Sequence, residues 1–342
     1  MMKMRKIIAA FLITAFIVPT VNLSASADTA PSIAPKVFTN ANPPPSPDGN
    51  FYVNHKGISF TYKGVRYWVF DDYKNPMPGT MLIGAYDINK NLLGTCLVDG
   101  ARYLDSITVD SDAQKVIFNA QGTSSISWSD LEKLAAPKID TTVGAPSSQD
   151  SDFYPNSNNI SLTYKGVRYF IYDDKQNPWP GVMRIDAYDE TYSQFLGTCK
   201  VVGARYLSSA TVDSDAQTVT FNGQGTSSIS WRDLEKLAAP QISTTATPPR
   251  YYNSNYHVNT SNISIFYKGF RFWIYDYTQV KTPVRMLILA YPLKGYDSGI
   301  SEIIGTKCIN SISVDSAAQT MTLTGDGTVT MSWYDLDSVV RY

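Results

Sequence analysis

The side chains best suited to general-base catalysis are almost missing from this chain: its 342 residues include two histidines, His55 and His257. Each copy of a repeated motif opens on an isoleucine, and His55 stands three residues before Ile58 whereas His257 stands six before Ile263. A Ser-His-Asp or Cys-His arrangement, which needs nucleophile and base within hydrogen-bond reach, therefore cannot be common to the copies. No G-x-S-x-G elbow, H-E-x-x-H helix, Walker loop or dinucleotide fingerprint occurs. The chain is expected not to be an enzyme.

Acidic pairs offer two further chemistries. Asp71-Asp72 and Asp173-Asp174 recur, but the third copy has Asp276-Tyr277. A glycosidase needs two carboxyl groups roughly 5–10 Å apart across a sugar, and neighbours on a strand point to opposite faces, so the expected role is to cap the amides of the turn that follows. Asp110-Ser-Asp112 and Asp213-Ser-Asp215 could present oxygens to calcium, yet the third copy reads Asp315-Ser-Ala317. A hairpin turn accounts for both acids, and neither metal nor cofactor is expected. Cys96, Cys199 and Cys308 fall one to a copy. Buried free thiols are expected rather than a bridge between copies.

Aromatic residues are the more informative set, with 23 Tyr, 14 Phe and 6 Trp. One face of a repeated strand reads Arg66-Trp68-Phe70, Arg168-Phe170-Tyr172 and Arg271-Trp273-Tyr275, and the next strand adds Tyr86, Tyr188 and Tyr291. These twelve residues are the candidate ligand-binding set. Exposed, they would form a platform on which a flat sugar ring stacks while the arginines donate hydrogen bonds. Covered, they would be a second core with the arginines lying across it. Trp128, Trp231 and Trp333 close the last strand of each copy and are read as structural.

The elements that hold these residues follow from comparing the chain with itself. ISFTYKGVRYWVFDD (58–72), ISLTYKGVRYFIYDD (160–174) and ISIFYKGFRFWIYDY (263–277) are one motif, and GARYLDSITVD (100–110) recurs at 203–213 and loosely at 305–315. Ile58, Phe60 and Tyr62 alternate with polar residues, Lys63-Gly64 turns the chain, and Val65, Tyr67 and Val69 share a face: a β-hairpin. Met81, Ile83 and Ala85, with Met183, Ile185, Ala187 and Met286, Ile288, Ala290, continue that core face beyond a turn at 75–79. A second hairpin runs through Ile107-Val109 and Val116-Phe118 to a last strand at 125–128. Ser129 and Glu132 have capping-box spacing for a short helix that Pro137 ends.

The expected fold is all-β, with three tandem repeats of a small β-sandwich or barrel-like module, each ending in a short helix. Boundaries are set at 51–137, 153–240 and 251–342, with extended linkers of little tertiary contact at 28–50, 138–152 and 241–250. Lys3, Arg5 and Lys6, an apolar run from Ile7 to Val21 and Ala25-Ser26-Ala27 read as a signal peptide at 1–27. The mature protein is expected to be secreted and extracellular, with no membrane span. A balance of 29 Lys plus Arg against 30 Asp plus Glu provides no basic field for nucleic acid. The expected function is multivalent binding of cell-wall or other carbohydrate, three copies adding avidity. The alternatives are a structural or protein-interaction component of a matrix or spore surface, and a secreted toxin or virulence factor.

Overall fold

Lys-Gly pairs set the fold of each copy. In the computed structural model, Lys63 and Gly64 have φ of 44° and 75°, Lys165 and Gly166 50° and 76°, Lys268 and Gly269 49° and 84°. Positive φ at both central residues is the turn whose twist matches a two-residue hairpin. The structure describes residues 34–39, 43–73, 79–175, 181–189, 194–249, 255–278, 285–292 and 299–340. The expected signal peptide and residues 75–78 of the expected turn lie outside these.

The chain is all-β, in three similar groups of sheets each ending in a short helix. In the first, the hairpin β3 (Ser59–Tyr62) and β4 (Val65–Asp72) continues into β5 (Thr80–Tyr86) and β6 (Leu92–Asp99), with β2 (Phe51–Val53) also pairing with β4. The ribbon β7 (Ala101–Asp110) and β8 (Lys115–Ser127) crosses one face of this sheet and leads into α1 (Trp128–Leu134). The second copy repeats this as β10 (Phe153–Pro155), β11 (Ser161–Tyr164), β12 (Val167–Asp174), β13 (Val182–Asp189), β14 (Phe195–Val202), β15 (Ala204–Asp213), β16 (Thr218–Ser230) and α2 (Trp231–Leu237). The third has β18 (Tyr256–Val258), β19 (Ser264–Tyr267), β20 (Phe270–Tyr277), β21 (Arg285–Pro292), β22 (Gly299–Ile304) and β23 (Ser311–Asp315). It closes with β24 (Thr320–Thr324), β25 (Thr328–Ser332) and α3 (Tyr334–Val339).

The main core lies between sheet and ribbon. Ile58, Phe60, Tyr62, Val65, Tyr67, Val69, Met81, Ile83 and Ala85 meet Val116, Phe118, Trp128 and Leu131 there, and Trp231 and Trp333 close the equivalent clusters. Tyr67 Oη donates to Leu131 O at 2.8 Å and Tyr169 Oη to Leu234 O at 3.0 Å, so buried tyrosines anchor the helices. The helix cap sits two residues earlier than expected. Ser127 Oγ accepts from Asp130 N at 3.0 Å and Ser230 Oγ from Asp233 N at 3.1 Å, while Glu132, expected in the capping box, bonds Tyr62 and Lys63 instead.

The segments expected to be linkers carry structure. β1 (Lys36–Phe38), β9 (Lys138–Asp140) and β17 (Gln241–Ser243) add an edge strand to the module that follows, pairing with β3, β11 and β19. Beyond β9 and β17 the chain crosses the second face of the sheet, where Tyr172 Oη donates to Pro146 O at 3.1 Å and Tyr275 Oη to Pro249 O at 2.9 Å. Proline and serine suit an extended conformation, and extended backbone pairs with any strand edge in reach.

Two successive junctions between modules use the same positions. Gln217 Nε2 donates to Glu132 Oε2 at 2.6 Å, and Gln319 Nε2 to Glu235 Oε2 at 2.8 Å. Lys165 and Glu235 form a buried ion pair at 2.6 Å, joined by Tyr164 and by Tyr334 from the third module. Burial alone would raise Glu235, but Lys165, Tyr334 and Gln319 hold its carboxyl down at about 2. Contact between the third and first modules is built differently: Lys36 pairs with Asp335, and a Cβ on Gly64 would lie 2.4 Å from Asp337 Oδ2.

Candidate ligand-binding site

The candidate set assembles as expected but not at the surface. Cross-strand register sets Arg66 opposite Tyr86 and Arg168 opposite Tyr188. Trp68, Phe70, Tyr86, Phe170, Tyr172, Tyr188, Trp273 and Tyr275 each retain 6% or less of their surface; Tyr291 is half-buried. They form three small second cores with Phe51, with Phe153 and with Leu287 and Leu289. Of the two arrangements open to these residues, a platform and a second core, the described structure holds the second. Val143 and Ala145 from the chain before β10, and Ala246 from the chain before β18, help to cover them.

The arginines are held by the first hairpin strand and the added edge strand. Arg168 donates to Asp140 Oδ2 at 2.5 Å and to Ser161 Oγ at 3.0 Å. Arg66 lies 4.2 Å from the centroid of Phe38, and Arg271 donates to Ser264 Oγ at 3.1 Å. Arg184 and Asp186, which replace Leu82-Gly84 of the first copy, form an ion pair at 2.6 Å inside the second small core. Variation at those positions is a change of packing under the covering chain.

A different group of aromatics is exposed, and it is built from the Gly-Ala-Arg-Tyr motif. Tyr103 and Tyr206 keep 36% and 49% of their surface. Each sits in the left-handed region, at φ 55° and 52°, inside a break of ribbon register at Arg102–Ser106 and Arg205–Ser209. A non-glycine residue there costs about 1–2 kcal/mol, a strain that persists only where surrounding bonds impose it. Asp71 Oδ1 accepts from Leu104 N at 3.1 Å, and Asp173 Oδ1 from Leu207 N at 3.4 Å. The repeated acid thus fastens the bulge one residue beyond the tyrosine; the turns it was expected to cap fall at 74–78 and 176–180, outside the described residues.

Around each exposed ring stand further groups of one kind. Arg102 lies 4.3 Å from the Tyr103 centroid and Arg205 5.0 Å from that of Tyr206. Tyr52 on β2, opposite Asp71, meets the exposed Tyr73 with ring centroids 4.5 Å apart and planes tilted by 44°. Burial raises the Tyr52 phenol above its ordinary value, with Asp71 and Tyr103 adding to the rise. Tyr154 is raised in the same way, by burial and then by Asp173 and Tyr206. Burial also raises Asp71 and Asp173, against the amides they accept from.

Register gives the third copy the same positions with other residues. His257 stands opposite Asp276 as Tyr52 stands opposite Asp71, Cys308 takes the left-handed position at φ 52°, and Asp276 accepts from Cys308 N at 2.7 Å. Tyr52 and Tyr154 escaped sequence reasoning because they lie outside the quoted repeats. Tyr103 and Tyr206 lay within a quoted repeat whose bulge does not show in side-chain alternation.

The remaining candidates resolve into structural roles. Asp110, Asp213 and Asp315 each accept from amides of their own turn, at 2.9 Å from Ala113, Ala216 and Ala318. Among the described residues no group of three or more His, Cys, Asp or Glu could hold a metal ion. The three cysteines are free and half-buried, and burial pushes the Cys96 and Cys199 thiols up to about 11, away from nucleophilic chemistry. Among the described residues no helix is long and apolar enough to cross a membrane. No protein-family model matches the chain, and no curated protein matches it significantly.

Proposed function

We propose that the chain is an exported, non-enzymatic, multivalent protein that binds carbohydrate, through the tyrosine-arginine clusters at Tyr103 and Tyr206 rather than through the covered aromatic faces. The observation that carries this reading is the repeated exposure of a strained tyrosine carrying an arginine on its ring, beside a second tyrosine. An exposed aromatic face beside a guanidinium suits the axial C–H face of an equatorially substituted pyranose while offering donors to its hydroxyls. β-Linked polymers of glucose or N-acetylglucosamine, including the glycan strands of bacterial cell walls, have such faces. Each contact is weak alone, and tandem modules raise retention on a polymer through effective concentration. Export is supported by the charged, apolar and small-residue order of the first 27 residues.

The test is a glycan array together with a pull-down on purified cell wall, using the chain without residues 1–27. Saturable retention by β-linked glycans, lost in the Tyr103→Ala/Tyr206→Ala double variant, is expected. Equal retention of the double variant, or no glycan bound, refutes the reading. The structural or protein-interaction alternative draws on exposed apolar residues of the edge strands, Leu97 on β6, Val202 on β14 and Ile304 on β22. It requires concentration-dependent assembly of the purified chain.

A further inference from the structure

Equivalent positions in the three modules differ in a way that bears on how many ligands the chain can hold. The left-handed position carries Tyr103, Tyr206 and then Cys308; the residue before it is Arg102, Arg205 and then Lys307. The position opposite the buried acid carries Tyr52, Tyr154 and then His257. The buried acid is kept in all three, since Asp71 and Asp173 accept the amide after the left-handed residue and Asp276 accepts that of Cys308 itself. What changes is the set of groups around it.

In the third copy both rings and the guanidinium are gone. Lys307 is turned to Asp326 at 3.8 Å, where its ammonium meets a carboxylate rather than a ring, and the half-buried Cys308 lies among Asp276, Asp326 and Lys307. A thiol is too small to stack on a pyranose, and a lysine lacks the planar fork that an arginine presents. The aromatic residues that remain near this site, Tyr256 and Tyr277, meet each other with ring centroids 5.1 Å apart and planes tilted by 58°.

The third module packs against both of the others, as the second does: Tyr334 reaches across to Glu235 of the second module, and Lys268 and Asp337 lie against Gly64 of the first. From the loss of the stacking groups at equivalent positions, we infer that the chain holds two glycan positions, in the first and second modules, and none in the third. This rests on the reading given under Proposed function, and it predicts which residues set the valence: Tyr52, Arg102 and Tyr103, and Tyr154, Arg205 and Tyr206.

The experiment is an NMR titration of the tyrosine-labelled chain with the N-acetylglucosamine trimer, each tyrosine signal assigned by substitution. Signals of Tyr103 and Tyr206 are expected to move and saturate, while those of Tyr256 and Tyr277 stay still. In the His257→Tyr/Lys307→Arg/Cys308→Tyr variant a third set, from the introduced rings, is expected to move over the same range, raising the stoichiometry from two to three. Movement of Tyr256 and Tyr277 at the same concentrations in the unaltered chain overturns the inference while leaving the binding reading intact. A triple variant that folds but gains no third position also overturns it. If no tyrosine signal moves, the binding reading itself fails and this inference falls with it.

Discussion

Phe170→Ala distinguishes a second core from a surface platform. Phe170 retains 1% of its surface and packs edge-on against Tyr188, with ring centroids 5.7 Å apart and planes at 69°. Phe153 and Tyr172 complete its cluster, and Val143 and Ala145 of the covering chain lie against it. Truncating a buried phenylalanine to alanine costs about 3–5 kcal/mol, the transfer of the ring plus the cavity left behind, whereas truncation of an aromatic on an open face costs well under about 1 kcal/mol. Urea unfolding followed by tryptophan fluorescence reads the difference as a lower midpoint at unchanged slope. The covering chain should also be cut faster by protease near 143–146, since it loses the surface it packs on. A loss below about 1 kcal/mol, with unchanged proteolysis, refutes the assignment of this face to a core.

Tyr206→Gly should leave stability within about 1 kcal/mol of the parent in the same urea assay. Relief of left-handed strain gains about 1–2 kcal/mol, added chain freedom and loss of the contact with Arg205 cost about 0.5–1 kcal/mol each, and a loss above about 2 kcal/mol would show that the ring is structural. Gly64→Ala should destabilise more than Gly269→Ala, because a Cβ at Gly64 meets Asp337 Oδ2 at 2.4 Å while the nearest atom at Gly269 is 3.8 Å away; equal thermal shifts would contradict the closure of the third module on the first. Glu235→Gln should cost about 3–5 kcal/mol by leaving Lys165 buried without its carboxylate, and a calorimetric scan that moves by less than a degree or two would count against a structural junction. Burial, opposed by Lys268 and reinforced by Glu235, raises Asp337 from 3.8 to about 6, so its folded-state value exceeds its unfolded one. The stability it contributes is complete below about pH 4 and is lost as pH rises through about 6, amounting to at most about 3 kcal/mol. Between pH 7 and 5 the urea midpoint should rise in the parent and stay flatter in Asp337→Asn, a window in which Glu235, held at about 2, does not titrate; equal slopes would refute this.

The first hairpin of each module and its inner face were legible because their information is local. Alternation placed Tyr67, Val69, Ile83 and Ala85 together, and Lys-Gly required a turn with positive φ at both residues. Alternation could not say whether the second face was open. That depends on what crosses it, and the covering chain, whose Pro146 and Pro249 accept from Tyr172 and Tyr275, is a composition typical of linkers. The bulge at Tyr103 was hidden for a related reason, since the buried Asp71 that fastens it lies 33 residues away from Leu104. Lys-Gly marks a turn and says nothing of burial; that of Lys165 depends on the second and third modules meeting, which no single repeat encodes.

The two exposed tyrosines carry the proposed binding most directly. Affinity of the chain without residues 1–27 for the N-acetylglucosamine hexamer should be measured by isothermal titration for the parent and for Tyr103→Ala, Tyr206→Ala and the double variant, with matching urea curves. Loss of one stacking ring, about 1–1.5 kcal/mol, predicts roughly a tenfold fall at the substituted position in each single variant and at both positions in the double variant, with stability unchanged. Parent-like affinity in the folded double variant would contradict the account and leave these tyrosines without a part in binding.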